Sequence, residues 1–395
     1  MKKLLFMFFL VSFLFFIPLS NFNHIDYNQT LLAEVSEDFD QILKEQLDDL
    51  DFSNIEEIFN DLNETQKSVF GEKSFAEKVY MIITGEVSGF ENIWDLLKAL
   101  LFDNILSLLP LIATIVAISI LGGMIGNITS KNGNSMGNIV HFIIYGVVVL
   151  MLTTIIVKMI NLTTTTLNLI KLQTDAIFPI LLTTLTALGG TTSVSAYQPT
   201  IAIFSSFIIE IFTNFILPLF LISIVLNLVS NLSNSVKLNK LISFVNSLSK
   251  WTIGIIFTLF TGFVTIQGIS AGTVDGLSIK TAKFTIKNSL PIVGGYLSDG
   301  LFLILASSNL IKNVVGGAGL LLLIITMLSP IIELVMFILA LKLMAGIIEP
   351  LGEGRIANFI LSISKSMVML ITTISVVSFM YVILTGLVMC SANVI

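Results

Sequence analysis

One cysteine, Cys390, stands in a chain of 395 residues. That excludes a disulfide framework, a paired redox thiol and a zinc site built on cysteine spacing. Two histidines, His24 and His141, are too few for a His-rich metal centre. Charge is scarce too. Only 12% of residues are Asp, Glu, Lys or Arg, about half the share of an ordinary soluble domain. The alternation over about ten residues that marks an outer-membrane barrel strand is missing. No Walker-type or dinucleotide glycine fingerprint occurs, so ATP or NAD use has no support. No His-Glu-x-x-His occurs, and no His is placed to serve a Ser or Cys nucleophile. Val274-Asp275-Gly276 follows Thr273, so the Gly-x-Gly-Asp pattern of intramembrane aspartyl proteases is also absent. The chain reads as a non-enzyme without a cofactor.

What fills the chain is oil. It is 55% hydrophobic, with a mean hydropathy of +0.96. Apolar runs of about 20 residues predict an all-α polytopic membrane protein. The charge that exists is divided unevenly. Residues 21–95 hold 18 Asp/Glu against 4 Lys, a net −14, while residues 96–395 hold 14 Lys/Arg against 8 Asp/Glu, a net +6. An acidic segment is thus joined to a mildly basic membrane body. That balance argues against nucleic acid, which needs a basic patch.

Residues 1–20 read as a secretory signal, with Lys2-Lys3 before the apolar core Leu4 to Ile17. Pro18-Leu19-Ser20 is a poor cleavage site, so an uncleaved anchor is the other reading. Either way, residues 21–102 should form an acidic extracytoplasmic helical segment. Phe39, Ile42, Leu43, Leu47 and Leu50 recur at helical spacing. Ser53-Asn-Ile-Glu56 and Ser74-Phe-Ala-Glu77 have the form of capping boxes. The acidic residues form a solvated face or a docking surface for a basic partner. Trp94 opens a greasy stretch to Phe102, suited to the membrane surface.

Residues 103–171 hold a first pair of spans, near 105–125 and 138–158, joined by a polar loop at Asn127 to Gly137. Six apolar blocks follow, near 176–194, 200–229, 251–272, 288–310, 314–347 and 366–389. Blocks 200–229 and 314–347 exceed the roughly 20 residues of one crossing. The count is therefore about 8, and up to 10, crossings. Pro179 to Pro218 repeats as Pro291 to Pro330, and Ser247-Leu-Ser-Lys250 repeats as Ser362-Ile-Ser-Lys365. This suggests two membrane units, 172–272 and, after a connector cassette, 273–395. Three crossings per copy make an inverted repeat, as in many transporters. Four crossings make the copies parallel.

Polar residues inside the oil are the candidates for function. Glu210 lies within one long block and Glu333 beside Pro330 in the other. A carboxylate deep in a bilayer usually faces a partner or a water cavity, so both are candidates for a polar pathway. A kink that lifts them to an interface is the other reading. Lys312 and Lys342, near block ends, read as snorkelling to headgroups. The glycine pairs Gly122-Gly123, Gly189-Gly190, Gly294-Gly295 and Gly316-Gly317 read as packing devices. The cassette Gln267 to Phe284 carries Asp275, Lys280 and Lys283, with Lys287 just after. Its lysines would make a basic face for lipid headgroups or an acidic partner.

The cassette also carries a resemblance. Gln267-Gly268, Ser270-Ala271, Asp275-Gly276 and Thr281-Ala-Lys-Phe284 resemble the central signature of the stage III sporulation protein AE family. The likeness continues in Pro291-Ile-Val-Gly294, Ser298-Asp299, Leu310-Ile-Lys-Asn313, Glu349-Pro-Leu-Gly352 and Ile363-Ser-Lys-Ser366. It is strong over 260–370 and only architectural before about 170. Where Lys280 stands, that family usually has Arg. The resemblance implies a multi-pass component of a mother-cell channel or secretion-like complex around the engulfed forespore. It also implies other stage III sporulation membrane proteins and a forespore-side partner as neighbours, and a role in late forespore gene expression. Any ATP-driven step would need a separate ATPase subunit. A permease-like transporter of a small solute, with a site between inverted repeats, is the alternative.

Overall fold

The computed structural model describes residues 36–60, 74–84, 93–130, 136–232, 238–289, 293–351 and 354–391, with backbone alone for several stretches within those ranges, among them 93–105, 126–130 and 268–302. The signal segment 1–20 and the loop at 131–135 lie outside the described residues. The chain divides into two units, 1–45 and 46–395. Helix α1 (Ser36–Asp48) crosses that boundary. Two short helices follow, α2 (Ser53–Asn60) and α3 (Phe75–Thr84).

The two expected capping boxes behave differently. At α3 the box closes: the Glu77 amide donates to Ser74 Oγ at 3.2 Å and the Ser74 amide to Glu77 Oε2 at 3.3 Å. At α2, Asp51 replaces Glu56 as the local acceptor. Its carboxylate takes the Ser53 hydroxyl at 2.5 Å and the Ser53 amide at 3.0 Å. An aspartate two residues away reaches the hydroxyl before a glutamate three residues on.

Long helices make up the rest. They are α4 (Ile93–Ser130), α5 (Met136–Ala187), a rod of α6 (Thr191–Ala202), α7 (Ile209–Ile211) and α8 (Leu217–Leu232), then α9 (Asn239–Ser289), α10 (Val293–Ile348) and α11 (Gly354–Cys390). Among the described residues, six helices are long and apolar enough to cross a membrane. The protein is an all-α polytopic membrane protein.

Several blocks that read as separate spans are joined. Blocks 138–158 and 176–194 are connected within α5, which reaches Ala187. The Thr-rich link between them contains no Gly or Pro, and its hydroxyls are satisfied by the helix itself. Thr163 donates to Met159 O at 2.9 Å, Thr166 to Leu162 O at 2.7 Å and Thr174 to Ile170 O at 2.7 Å. Such back-bonding lets polar side chains sit in a helix without breaking it. The helix ends at Gly189, whose φ of 80° takes the left-handed turn that closes a helix, with the Gly190 amide on Leu185 O at 2.9 Å. Gly189-Gly190 is therefore a stop signal rather than a packing pair.

Blocks 288–310 and 314–347 likewise share α10, and the cassette is the last part of α9 rather than a separate short helix. Residues from Trp94 onward belong to α4, continuous with the first span. The block 200–229 crosses as one rod, with π-helical turns at Ile203–Ile208 and Phe212–Ile216. A proline cannot donate to the i−4 carbonyl and its ring crowds that position. Pro218 directly follows the second π turn, where the ladder has widened to make room.

Cross-helix contacts set a common register. At one end, Tyr145 donates to Leu228 O at 3.0 Å and stacks on Phe359 with centroids 5.4 Å apart. Ser223 donates to Asn246 Oδ1 nearby at 2.9 Å. At the opposite end, Thr200 bonds Gln267, Tyr197 meets Ser391 Oγ at 2.8 Å, and Lys312 donates to Ser391 O at 2.5 Å. Phe178 packs edge-on against Tyr381, centroids 5.6 Å apart. Between the ends, Gln173 donates to Thr326 at 3.0 Å.

Two antiparallel hairpins follow from this register, the α6–α8 rod with α9 and α10 with α11. They point the same way. Pro218 and Pro330 lie on the first arms, and the Ser-x-Ser-Lys matches on the second arms. An inverted repeat needs three crossings per unit, whereas these two hairpins have two arms each and run the same way. The joining of apolar blocks removes the crossing that inversion requires. The core lies where α5, α10 and α11 meet, with Phe337, Met344, Ile363, Met367 and Ile374 fully buried.

Candidate functional site

The helices are taller than a bilayer. α5 has 52 residues and α10 has 56, about 78 and 84 Å at 1.5 Å per residue. A hydrocarbon core is about 30 Å thick. The exposed apolar side chains show which part it covers. On α9 they run as Leu241, Phe244, Leu248, Trp251, Ile255, Leu259, Phe263 and Ile266, one stripe about 38 Å long. On the α6–α8 rod they run from Ile203 to Val229, and on α5 from Ile139 to Leu172. The ends of α5 and α10 nearest Ser391 extend beyond this band. There the outer helices attach. Ser307 donates to Gln46 Oε1 at 2.8 Å and Gln46 Nε2 to Ile304 O at 3.4 Å, while α2 packs on α5 and α3 on α10.

The candidate carboxylates lie inside the band. Glu210 is exposed on α7, the three-residue turn between the two π segments. Glu333 lies on α10 and forms an ion pair with Lys158 of α5, Nζ to Oε1 2.7 Å. The Glu333 side chain is 18% exposed and that of Lys158 67%. Tyr145 and Leu228 fix a common level, from which Lys158 lies about 20 Å along α5 and Glu210 about 27 Å along the rod. Both therefore lie well inside the band, on different helices. Among the described residues, no hydrogen bond or ion pair joins Glu210 to Glu333. The structure instead brings Glu333 to Lys158, which the sequence reading passed over. The signal available was a lone lysine in one apolar helix and a lone carboxylate in another.

The lysines near block ends separate. Lys342 is exposed, as snorkelling requires, but Lys312 is fully buried against Ser391 O. The carbonyls that end α11 are unmatched by the helix and accept a cation readily, which draws Lys312 inward. Of the cassette, Asp275, Lys280, Lys283 and Lys287 share α9 on the Ser391 side of Gln267, and their side chains lie outside the described residues. Among the described residues no cluster of three or more His, Cys, Asp or Glu could hold a metal. A shallow open groove on α9 is lined by Lys250, Trp251, Gly254 and Thr258.

An arrangement of this kind can bind ions, water or other proteins through charge. The family described as "Stage III sporulation protein AE" matches residues 74–392. The "Stage III sporulation protein AE" of Bacillus subtilis (strain 168) is 26% identical over 369 residues, covering 91% of this chain and 92% of that protein. No solved structure matches. Neither name carries an enzymatic activity. With most of its length matched, the chain belongs to the stage III sporulation protein AE family.

Proposed function

We propose that the protein is a multi-pass component of the channel or secretion-like complex in the mother-cell membrane around the forespore, with its acidic segment in the intermembrane space. The observation that carries this reading is the presence of Glu210, Glu333 and Lys158 on or near the exposed surface within the apolar band. Lipid is a poor neighbour for such groups, at about 2.5–3.5 kcal/mol per charged residue at a helix centre. Another protein, or water held between proteins, is a good one. The family membership supports sporulation as the process.

The placement of the termini follows the charge. Lys240, Lys342, Arg355 and Lys365 are exposed toward the Tyr145 end, and the acidic helices attach toward the Ser391 end. Lys/Arg excess favours the cytoplasm, so the Tyr145 end faces inward and the cassette outward. Asp275, Lys280, Lys283 and Lys287 are then a contact for partner proteins or headgroups on the outer side, and the cassette lysines are the exception to the charge rule.

The test replaces Glu210 and Glu333 singly with Gln in sporulating cells. Spore yield and co-purification of the membrane complex are both scored. Loss of spores with the complex intact supports a polar pathway. Loss of both supports a scaffold. Full spore yield from both variants overturns the proposal. A permease working through inverted repeats is the less favoured reading, because the two hairpins run in the same direction.

A further inference from the structure

We propose that the membrane band binds a second copy of this chain, with Lys158 of one copy set against Glu210 of the next. The inference rests on the membrane placement given above and not on a pathway role. Three observations carry it. Lys158 is 67% exposed even while paired with Glu333, so its ammonium retains free donors on the lipid side. Glu210 is an exposed carboxylate within the apolar band, with no ion pair to any described cation. The two lie about 20 Å and about 27 Å along their helices from the Tyr145–Leu228 level, both inside the band, an offset that a lysine and a glutamate side chain can span. Copies inserted in the same orientation therefore present both groups to each other within the band.

Lipid answers neither the Glu210 carboxylate nor the donors that Lys158 keeps beyond its pair with Glu333. A second copy answers both, because it carries each group's complement within the band. The apolar side chains around the two sites, Leu150 and Val157 on α5, Phe207 and Phe215 on the rod, supply the rest of the contact. Van der Waals packing and a buried polar contact are what drive helix association in lipid. The pairing closes as a two-fold dimer if the two sites share a face, and as a ring if they do not.

Cross-linking in native membranes tests this. Two tagged versions of the full chain, both with Cys390→Ser, are co-expressed. One carries Thr154→Cys, one turn from Lys158, and the other Asn214→Cys, one turn from Glu210. Both positions are exposed, so neither change disturbs the core. Iodine or copper phenanthroline, which enter the bilayer, are added. A disulfide joining the two tags is expected, with its yield cut at least ten-fold by adding Glu210→Gln. A Ser243→Cys partner in place of Asn214→Cys should give none. Absence of the doubly tagged product while both thiols react with a permeant maleimide overturns the proposal. So does a cross-link to a different membrane protein, or a yield indifferent to Glu210→Gln. If the Ser243 control cross-links, the contact is not the one proposed. Failure of the placement itself would show separately, as accessibility of Ser243→Cys from outside intact cells.

Discussion

At the scale of single residues, close approach and local charge make the sharpest tests. A Cβ on Gly319 would meet Ile177 Cδ1 at 2.8 Å and the Tyr381 hydroxyl at 3.2 Å. One on Gly346 would meet nothing within 4 Å. Overpacking a tight helix contact costs about 1–3 kcal/mol. We expect Gly319→Ala to lower the melting temperature in detergent and Gly346→Ala to leave it unchanged. Equal melting would mean that Ile177 yields freely. Asp51 offers a second test. The Ser53 hydroxyl, then the Ser53 amide, hold its carboxyl below the usual range. A carboxylate lowered in the folded state stabilises above its unfolded value, about 3.9, and stops doing so as pH falls through the lower folded value. Carbon-detected titration should place the Asp51 midpoint below about 3.9, and Ser53→Ala should raise it.

At the scale of elements, caps and stops decide where helices begin and end. The closed box at Ser74 and Glu77 satisfies two amides at the start of α3. Removing such a cap costs about 0.5–2 kcal/mol. We expect Ser74→Ala to speed amide exchange in α3, with no change in α11. Protection unaltered throughout α3 would show that packing on α10, not the cap, holds it. Much at this scale was legible in the sequence. The helical spacing of Leu43 and Leu47 marked the buried face of α1, and both are buried. The joining of apolar blocks was not legible. A polar Thr-rich link reads as a loop until its hydroxyls find carbonyls one turn back, and a glycine-bearing cassette reads as a connector until the helix is seen to run through it.

At the scale of the molecule, the register of the hairpins predicts sidedness. Ser243 on α9 and Gly354 at the start of α11 lie toward the Tyr145 end, and Cys390 lies at the other. In a chain with Cys390→Ser, single cysteines at Ser243 and Gly354 should resist a membrane-impermeant thiol reagent in intact cells. Both should react in inverted vesicles. In the unaltered chain the exposed Cys390 should react from outside. Labelling of Ser243 and Gly354 from opposite sides would overturn the parallel hairpins and restore the inverted plan.

Composition alone determined the class of this protein. So little charge and apolar runs of about 20 residues point to helices in a bilayer, which satisfy their own backbone where lipid cannot. The family signature in and after the cassette was legible for the same reason that any local pattern is: it is written in consecutive residues. What only the tertiary structure decided was which charges meet. Lys158 and Glu333 are 175 positions apart, and Lys312 and Ser391 are 79 apart. No local pattern encodes such pairs. They form because α5, α10 and α11 bury their apolar faces against one another, and that packing fixes the register in which the few charged groups find partners.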